Sequence, residues 1–125
     1  MKSVLVIAIG GAVGSLLRWW LAGRLNALFP TVPPGTLAAN LIAAYVIGAA
    51  MTLFASASAT APEWRLLVIT GFCGGLSTFS TFSAEMATLV RQNNSLWALA
   101  EAGIHVSGSL LMVFLGMGTV IWLRS

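Results

Sequence analysis

Four long runs of apolar residues make up most of the chain, and short stretches rich in proline or polar residues separate them. The runs cover roughly Val4–Leu25, Gly35–Phe54, Leu66–Val90 and Leu96–Leu123. About 20 consecutive apolar residues cross a bilayer as a helix, and backbone polar groups at that depth must be satisfied within the protein. The pattern therefore predicts an all-α membrane protein with four transmembrane helices, in a single domain over residues 1–125.

The connecting stretches contain turn-forming residues. The first carries prolines at 30, 33 and 34, and the second is a small-residue segment over 55–62 that ends at Pro62. In the third, 91–95, Ser95 is predicted to cap the last helix. Lys2 and the first run loosely fit a cleaved signal peptide, but the later spans favour a helix that is retained.

Composition supports the membrane assignment. Hydrophobic residues make up 58% of the 125 residues and charged residues 7%, whereas a soluble domain carries about 25% charged residues. The six basic residues are scattered singly, so they predict anchors at the membrane interface and no nucleic-acid-binding patch. Cys73 is the only cysteine, which excludes an intrachain disulfide.

The positive charges barely distinguish the two sides of the membrane. With four spans, Lys2, Arg65 and Arg124 lie on one side of the membrane. Arg24 and Arg91 lie on the other side, together with Arg18 if its side chain reaches that interface. The positive-inside rule then gives almost no orientation signal. Either a single charge decides the orientation, or copies insert both ways and pair as an antiparallel, dual-topology homodimer. A four-helix bundle has little interior space, so a permeation path requires a partner chain.

The most informative motif lies within the third run. Residues 71–83 read Gly-Phe-Cys-Gly-Gly-Leu-Ser-Thr-Phe-Ser-Thr-Phe-Ser, which combines paired glycines with five hydroxyl side chains. Such a sequence forms a poor continuous helix, so we expect the third helix to be broken in mid-membrane near Gly74–Thr78. Non-helical backbone at that depth is tolerated inside protein or beside a cavity, and half-helix ends bind ions.

Phe79 and Phe82 follow this break at i and i+3, so they share one helix face. Either they pack against lipid and neighbouring helices, or their positive ring edges contact a small anion with Ser80 and Thr81 as adjacent hydroxyl donors. Glu85, one turn later, either hydrogen-bonds a neighbouring helix or lies at a pore mouth.

Polar residues within the other spans have two interpretations each. Arg18, beside the small residues 10–15, either reaches the interface or attracts anions. Asn40 bridges helices or directs its amide at an anion. His105, at i and i+4 with Ser109, bridges helices or relays protons. A single histidine and a single cysteine argue against a transition-metal site, and no catalytic constellation is present, so we do not expect an enzyme.

The motif over 71–82 resembles the signature of the Fluc-type fluoride channels, also called the CrcB family, and residues 10–18 and 35–40 agree with it. The resemblance covers essentially the whole chain. It implies a fluoride-selective passive channel that exports fluoride from the cytoplasm across the cell (inner) membrane. It also implies an antiparallel homodimer, with two pores along the dimer interface.

By motif position, the resemblance implies fluoride contacts for Phe79 and Phe82 and a pore amide for Asn40. It implies a hydroxyl track that includes Ser80 and Thr81.

The same resemblance implies a vestibule arginine at Arg18 and a pore-lining position for His105 and Ser109. It further implies a structural sodium ion at the dimer centre, held by the backbone carbonyls of Gly74 and Ser77. The family often has Thr where Ser77 stands, a change that a backbone contact tolerates.

Two other functions compete with the channel. A small proton-coupled multidrug exporter is the alternative, but such exporters resemble a different pattern, with an essential carboxylate in the first span. Here the first span has none, and we take Glu85 as the only carboxylate within the membrane. A non-transporting scaffold subunit is disfavoured because it gains nothing from broken backbone bonds in lipid.

Overall fold

A computed structural model describes residues 1–55 and 62–125 of the chain. Four helical spans are long and apolar enough to cross a membrane: Lys2–Leu28, Pro34–Ala55, Pro62–Arg91 and Ser95–Arg124. The predicted all-α architecture with four spans is therefore confirmed, and the predicted bounds differ from these by one to four residues. The connection predicted over 55–62 lies mostly outside the described residues.

The first helix, Lys2–Leu25, ends in a 3₁₀ turn, Asn26–Leu28, and the second helix is Pro34–Ala55. Proline suits the first position of a helix because its missing N–H would have no partner there. The next amides along that helix find a partner in the preceding turn. The Asn26 side chain accepts hydrogen bonds from the amides of Gly35 (2.8 Å) and Thr36 (3.1 Å). The turn thereby caps the second helix from outside it.

The third span consists of several consecutive segments. It begins at Pro62–Arg65, continues as a π-helical stretch, Leu66–Cys73, and then as Gly74–Leu76. Ser77 (φ −75°, ψ 152°) and Thr78 (φ −150°, ψ 118°) have extended backbone. The second half-helix, Phe79–Arg91, follows, and the Thr78 hydroxyl caps it by accepting a 3.1 Å hydrogen bond from the amide of Thr81.

The fourth helix, Ser95–Arg124, follows a tight turn in which Asn93 adopts a positive φ of 60°. Asparagine tolerates this left-handed conformation better than most residues. The helix is preceded by Asn94, and no side-chain hydrogen bond caps its start. The prediction that Ser95 is the capping residue is therefore wrong, because Ser95 is already the first helical residue.

Glycine residues allow the backbones of two helix pairs to approach closely. The first helix packs on the third span, and the second helix packs on the fourth. Gly10 and Gly14 lie directly against the backbone of the third span, and Gly48 and Gly116 lie against the facing backbones of the fourth and second helices. A Cβ at any of these four positions would collide with a carbonyl oxygen of the neighbouring helix. Glycine thus sets the distance between the helices.

Large apolar side chains remain exposed along all four spans, which suits contact with lipid or with another chain. Examples are Leu16 on the first helix and Leu99 and Phe114 on the fourth. The buried core is small by comparison. It is formed by residues of the first three spans: Leu21, Ala39, Ala43, Cys73 and Leu76.

Gly10→Ala should destabilise the protein by about 1–3 kcal/mol, since the new methyl group overlaps the carbonyl of Leu67. The measurement is the fraction of monodisperse protein left after heating in detergent, followed by size-exclusion chromatography. Gly23→Ala is the matched control on the same helix, because nothing lies within 4 Å of its new Cβ. Equal heat resistance of the two variants would contradict the proposed role of Gly10.

Candidate functional site

A cavity of about 460 Å³ lies between the second helix, the third span and the fourth helix. It brings together seven of the ten residues that the sequence predicted for the site: Asn40, Gly74, Ser77, Phe79, Phe82, His105 and Ser109. The other three, Arg18, Ser80 and Thr81, do not line it. Thr78 and several small or apolar residues complete the wall, so the lining contains no lysine, arginine or carboxylate.

Asn40 holds the extended backbone of the third span. Its side-chain oxygen accepts a 2.7 Å hydrogen bond from the amide of Thr78, and its side-chain nitrogen donates to the carbonyl of Thr78 at 3.1 Å. The two bonds satisfy backbone groups that have left the helical pattern. They also fix the orientation of the amide, because a flipped side chain would direct its NH2 group at the N–H of Thr78.

The same NH2 group of Asn40 also contacts His105, with 3.2 Å between its nitrogen and Nδ1 of the imidazole. Asn40 therefore connects three spans, which confirms the interpretation of Asn40 and His105 as helix-bridging residues. Both N–H groups of the amide are occupied, one by Thr78 and one by His105. The His105 ring packs on Phe82, with ring centroids 4.6 Å apart.

Two backbone carbonyls lose their usual helical donors at the extended residues. In a continuous helix the amide of Thr78 would donate to the carbonyl of Gly74, and the amide of Thr81 to the carbonyl of Ser77. Here the amide of Thr78 donates to Asn40, and that of Thr81 to the hydroxyl of Thr78. The carbonyls of Gly74 and Ser77 are thereby released from these bonds.

The two phenylalanines share a face, as their spacing predicts, with ring centroids 5.6 Å apart. Their environments differ. Phe82 is 7% exposed and packs beside His105, whereas Phe79 is 78% exposed at the open side of the cavity. Within the part of the chain that the structure describes, one ring is covered and the other is largely exposed.

The hydroxyls of Ser80 and Thr81 lie near Thr78 rather than in the cavity wall. The Thr78 hydroxyl donates to Thr81 at 3.0 Å, and its oxygen lies 3.4 Å from that of Ser80. Arg18 is directed at the backbone, where its Nε donates to the carbonyl of Gly75 at 3.1 Å. This contact ties the first helix to the third span.

A cluster of titratable side chains lies beside the cavity. Glu85, Glu101 and His105 have potential ligand atoms within 4.8 Å of one another. Glu85 accepts a 2.5 Å hydrogen bond from the hydroxyl of Thr36, so its predicted contact with a neighbouring helix is confirmed. Glu85 also lines a second cavity of about 240 Å³, together with residues of the 30–33 and 92–94 connections.

Glu101 was not predicted to lie within the membrane. The prediction that Glu85 is the only carboxylate within the membrane is therefore wrong. Glu101 lies in the fourth span and is 0% exposed, with one carboxylate oxygen 3.8 Å from Nε2 of His105. Its i, i+4 spacing from His105 was the signal, because residues at this spacing meet on one helix face.

Four spans long and apolar enough to cross a membrane, three of which line a cavity with amide, hydroxyl, imidazole and phenyl groups, define an integral membrane protein. A family model described as "CrcB-like protein, Camphor Resistance (CrcB)" matches residues 5–117. The chain belongs to the CrcB family and is a multi-pass membrane protein.

Relatives named fluoride-specific ion channel FluC align with nearly the whole chain. The protein from Chromobacterium violaceum is 60% identical over 123 residues, covering 98% of each chain. That from Nitrosomonas europaea is 57% identical over 99% of this chain and 98% of its own. That from Pseudomonas paraeruginosa is 57% identical over 98% of this chain and 96% of its own.

Thr36→Val should lower the free energy of unfolding by about 1–3 kcal/mol, because a carboxylate oxygen of Glu85 loses the hydroxyl donor that the buried Thr36 supplies. Thr88→Val is the control, since that exposed hydroxyl bonds only within its own helix, to the carbonyl of Ala84. Thermal unfolding of both variants in detergent checks the difference. A Thr36 variant as stable as the Thr88 variant would count against the importance of this contact.

Proposed function

We propose that this protein is a fluoride-selective passive ion channel that exports fluoride from the cytoplasm across the cell (inner) membrane. The observation that carries the proposal is the 57–60% identity to relatives named fluoride-specific ion channels over nearly the full length of both partners. The protein is thus a transporter and not an enzyme.

The chemistry of the cavity suits fluoride. Fluoride is small and strongly hydrated, so a path must replace its water with many weak donors and still release it. The cavity offers the hydroxyl of Ser109 and the ring edges of Phe79 and Phe82. The amide of Asn40 and the hydroxyl of Thr78 also line it, with their donors bonded to protein groups in this structure. Its lining carries no fixed cation that would hold the anion tightly.

Four further site residues have supporting roles in this proposal. Ser80 and Thr81 extend the hydroxyl track from Thr78 along the second half-helix. Arg18 attracts anions to the vestibule through its remaining N–H groups while its Nε stays bonded to Gly75. His105 lines the pore beside Ser109 and Phe82.

The working form in this proposal is an antiparallel, dual-topology homodimer with two pores along its interface. Two observations support it. Basic residues are almost evenly divided between the two sides of the membrane. Over residues 1–55 and 62–125 nothing covers Phe79 or the open side of the cavity, and a second copy related by a two-fold axis would supply that cover.

We further propose that the third span acts as a helix broken in mid-membrane and that its break holds a structural sodium ion at the dimer centre. The carbonyls of Gly74 and Ser77, whose helical donors are directed elsewhere, are hard oxygen ligands of the kind that unwound segments offer to Na⁺. Each copy would contribute these two carbonyls. The ion supplies positive charge at the centre of the dimer when bound.

The proton-coupled multidrug exporter gains one supporting observation. Glu85 and the buried Glu101 form a carboxylate pair of the kind that carries protons in such transporters. The two functions differ in driving force, since a passive channel needs only the fluoride gradient.

The deciding experiment is fluoride efflux from liposomes that contain the purified protein, with chloride efflux as the control. With a potassium ionophore present to balance the charge that leaves, we expect fast fluoride loss, negligible chloride loss, and no change when a protonophore collapses the proton gradient. Two results would contradict the channel and favour the exporter: no fluoride efflux from folded protein, or efflux of organic cations driven by a proton gradient.

Phe82→Ile should reduce fluoride efflux to the rate of protein-free liposomes, because isoleucine fills the volume but has no positive ring edge. Phe54→Ile is the matched control, since Phe54 lies outside the cavity lining. The size-exclusion profile should stay unchanged in both variants. Wild-type efflux through the Phe82 variant would remove the phenyl-edge mechanism.

A thiol introduced as Ser125→Cys tests the dual topology. An impermeant maleimide added outside intact cells should label about half of the copies, because balanced charges give no preferred orientation. The unmodified chain is the control, since its only cysteine, Cys73, is buried. Labelling of all copies or of none would establish a single orientation.

A further inference from the structure

The proposed conduction path leaves the most buried ionisable side chain of the described residues without a role. Glu101 is 0% exposed, and neither of its carboxylate oxygens has a hydrogen-bond partner. The other members of its cluster are similar: Oε1 of Glu85 and Nε2 of His105 are buried and without a partner. Unpaired ionisable groups are costly in a membrane interior, so such a cluster calls for a function.

The protonation of His105 follows from the Asn40 amide. Asn40 is fixed by its two bonds to Thr78, so its NH2 group must face Nδ1 of His105. Nδ1 is therefore the acceptor nitrogen, and the neutral ring carries its proton on Nε2. Nε2 lies 3.8 Å from a carboxylate oxygen of Glu101, so the N–H of His105 faces the carboxylate cluster.

This arrangement excludes His105 from a metal site in its present state. A metal ligand needs a free nitrogen lone pair, and the only lone pair of the neutral ring is bonded to Asn40. The cluster contains two carboxylates and one histidine, and among the described residues no lysine or arginine forms an ion pair with either carboxylate. A proton is the remaining positive charge that fits these groups.

We propose that Glu101 is a positioning residue that, with Glu85, stabilises protonated His105 and thereby controls whether the amide of Asn40 is free to donate to the anion in the cavity. The inference rests on the proposed channel function. In the neutral state both N–H groups of Asn40 are occupied, by Thr78 and by His105.

Protonation changes the contact between His105 and Asn40. When Nδ1 accepts a proton from solvent, two donors face each other, so the NH2 group of Asn40 loses this partner. One N–H is then available to an anion in the cavity, which Asn40 and His105 both line. The imidazolium is compensated by Glu101 on its own helix and by Glu85 on the second half-helix. The facing residues Thr36, Asn40 and Phe82 carry no charge.

The state of His105 can be measured directly because it is the only histidine. We expect ¹⁵N NMR of histidine-labelled protein in lipid to give the signature of a ring protonated on Nε2 at alkaline pH and on both nitrogens at acidic pH. In Glu101→Gln the doubly protonated fraction at a given pH should fall, while Glu63→Gln should match the wild type. A ring protonated on Nδ1 at alkaline pH, or equal titration in all three proteins, would overturn the proposal.

Fluoride efflux at a series of equal internal and external pH values gives the functional readout. The rate from protein-free liposomes is subtracted at each pH, because hydrogen fluoride crosses lipid unaided. Wild-type efflux should rise several-fold on acidification, and Glu101→Gln should flatten this rise. Glu101→Asp should restore part of it by keeping the charge.

The outcomes of this experiment separate the two proposals. Fluoride efflux that does not depend on pH, or that depends on pH equally in Glu101→Gln and wild type, would overturn the role of Glu101 and leave the channel intact. Absence of fluoride efflux at every pH, in protein that elutes as folded material, would instead contradict the proposed function.

Discussion

The hydrogen bonds between Asn40 and Thr78 are the interaction on which the rest of the site depends. An extended residue within a transmembrane span exposes an N–H and a C=O that lipid cannot satisfy, and each would cost several kcal/mol if left alone. One side-chain amide on the neighbouring helix bonds both groups. As a result, the carbonyls of Gly74 and Ser77 lose their helical donors, and the second half-helix begins at Phe79. The fixed amide of Asn40 also makes Nδ1 of His105 the acceptor nitrogen.

Much of the fold follows from the sequence because a bilayer imposes simple rules. Span length and the absence of long polar segments predict four helices, and the structure agrees. Element ends were less accurate. The third span begins at Pro62 and not near Leu66, because the π-helical stretch Leu66–Cys73 is joined to a preceding helical turn that carries charged residues.

The site was predictable as a set of residue types and less so as a set of contacts. The 71–83 motif pointed to the extended residues, yet sequence alone could not show that Asn40 bonds both backbone groups of Thr78, since the two lie 38 positions apart. Glu101 was not predicted as a site residue because a single carboxylate near the start of an apolar run is typical of the membrane interface. Only packing of the fourth helix against the second half-helix brings it to Glu85.

The glycine contacts have a mechanical consequence. Backbone-to-backbone packing fuses the first helix to the third span and the second helix to the fourth, so each pair behaves as a stiff unit. The two units are themselves joined by backbone contact, because Gly35 of the second helix lies against the carbonyl of Leu21 on the first helix, and by the buried core that the first three spans share. The polar bonds from Asn40 to Thr78 and from Thr36 to Glu85 cross the same boundary. The walls of the cavity are therefore held at a spacing that the glycines determine, and a larger residue at one of these glycines would change the width of the cavity without touching its lining.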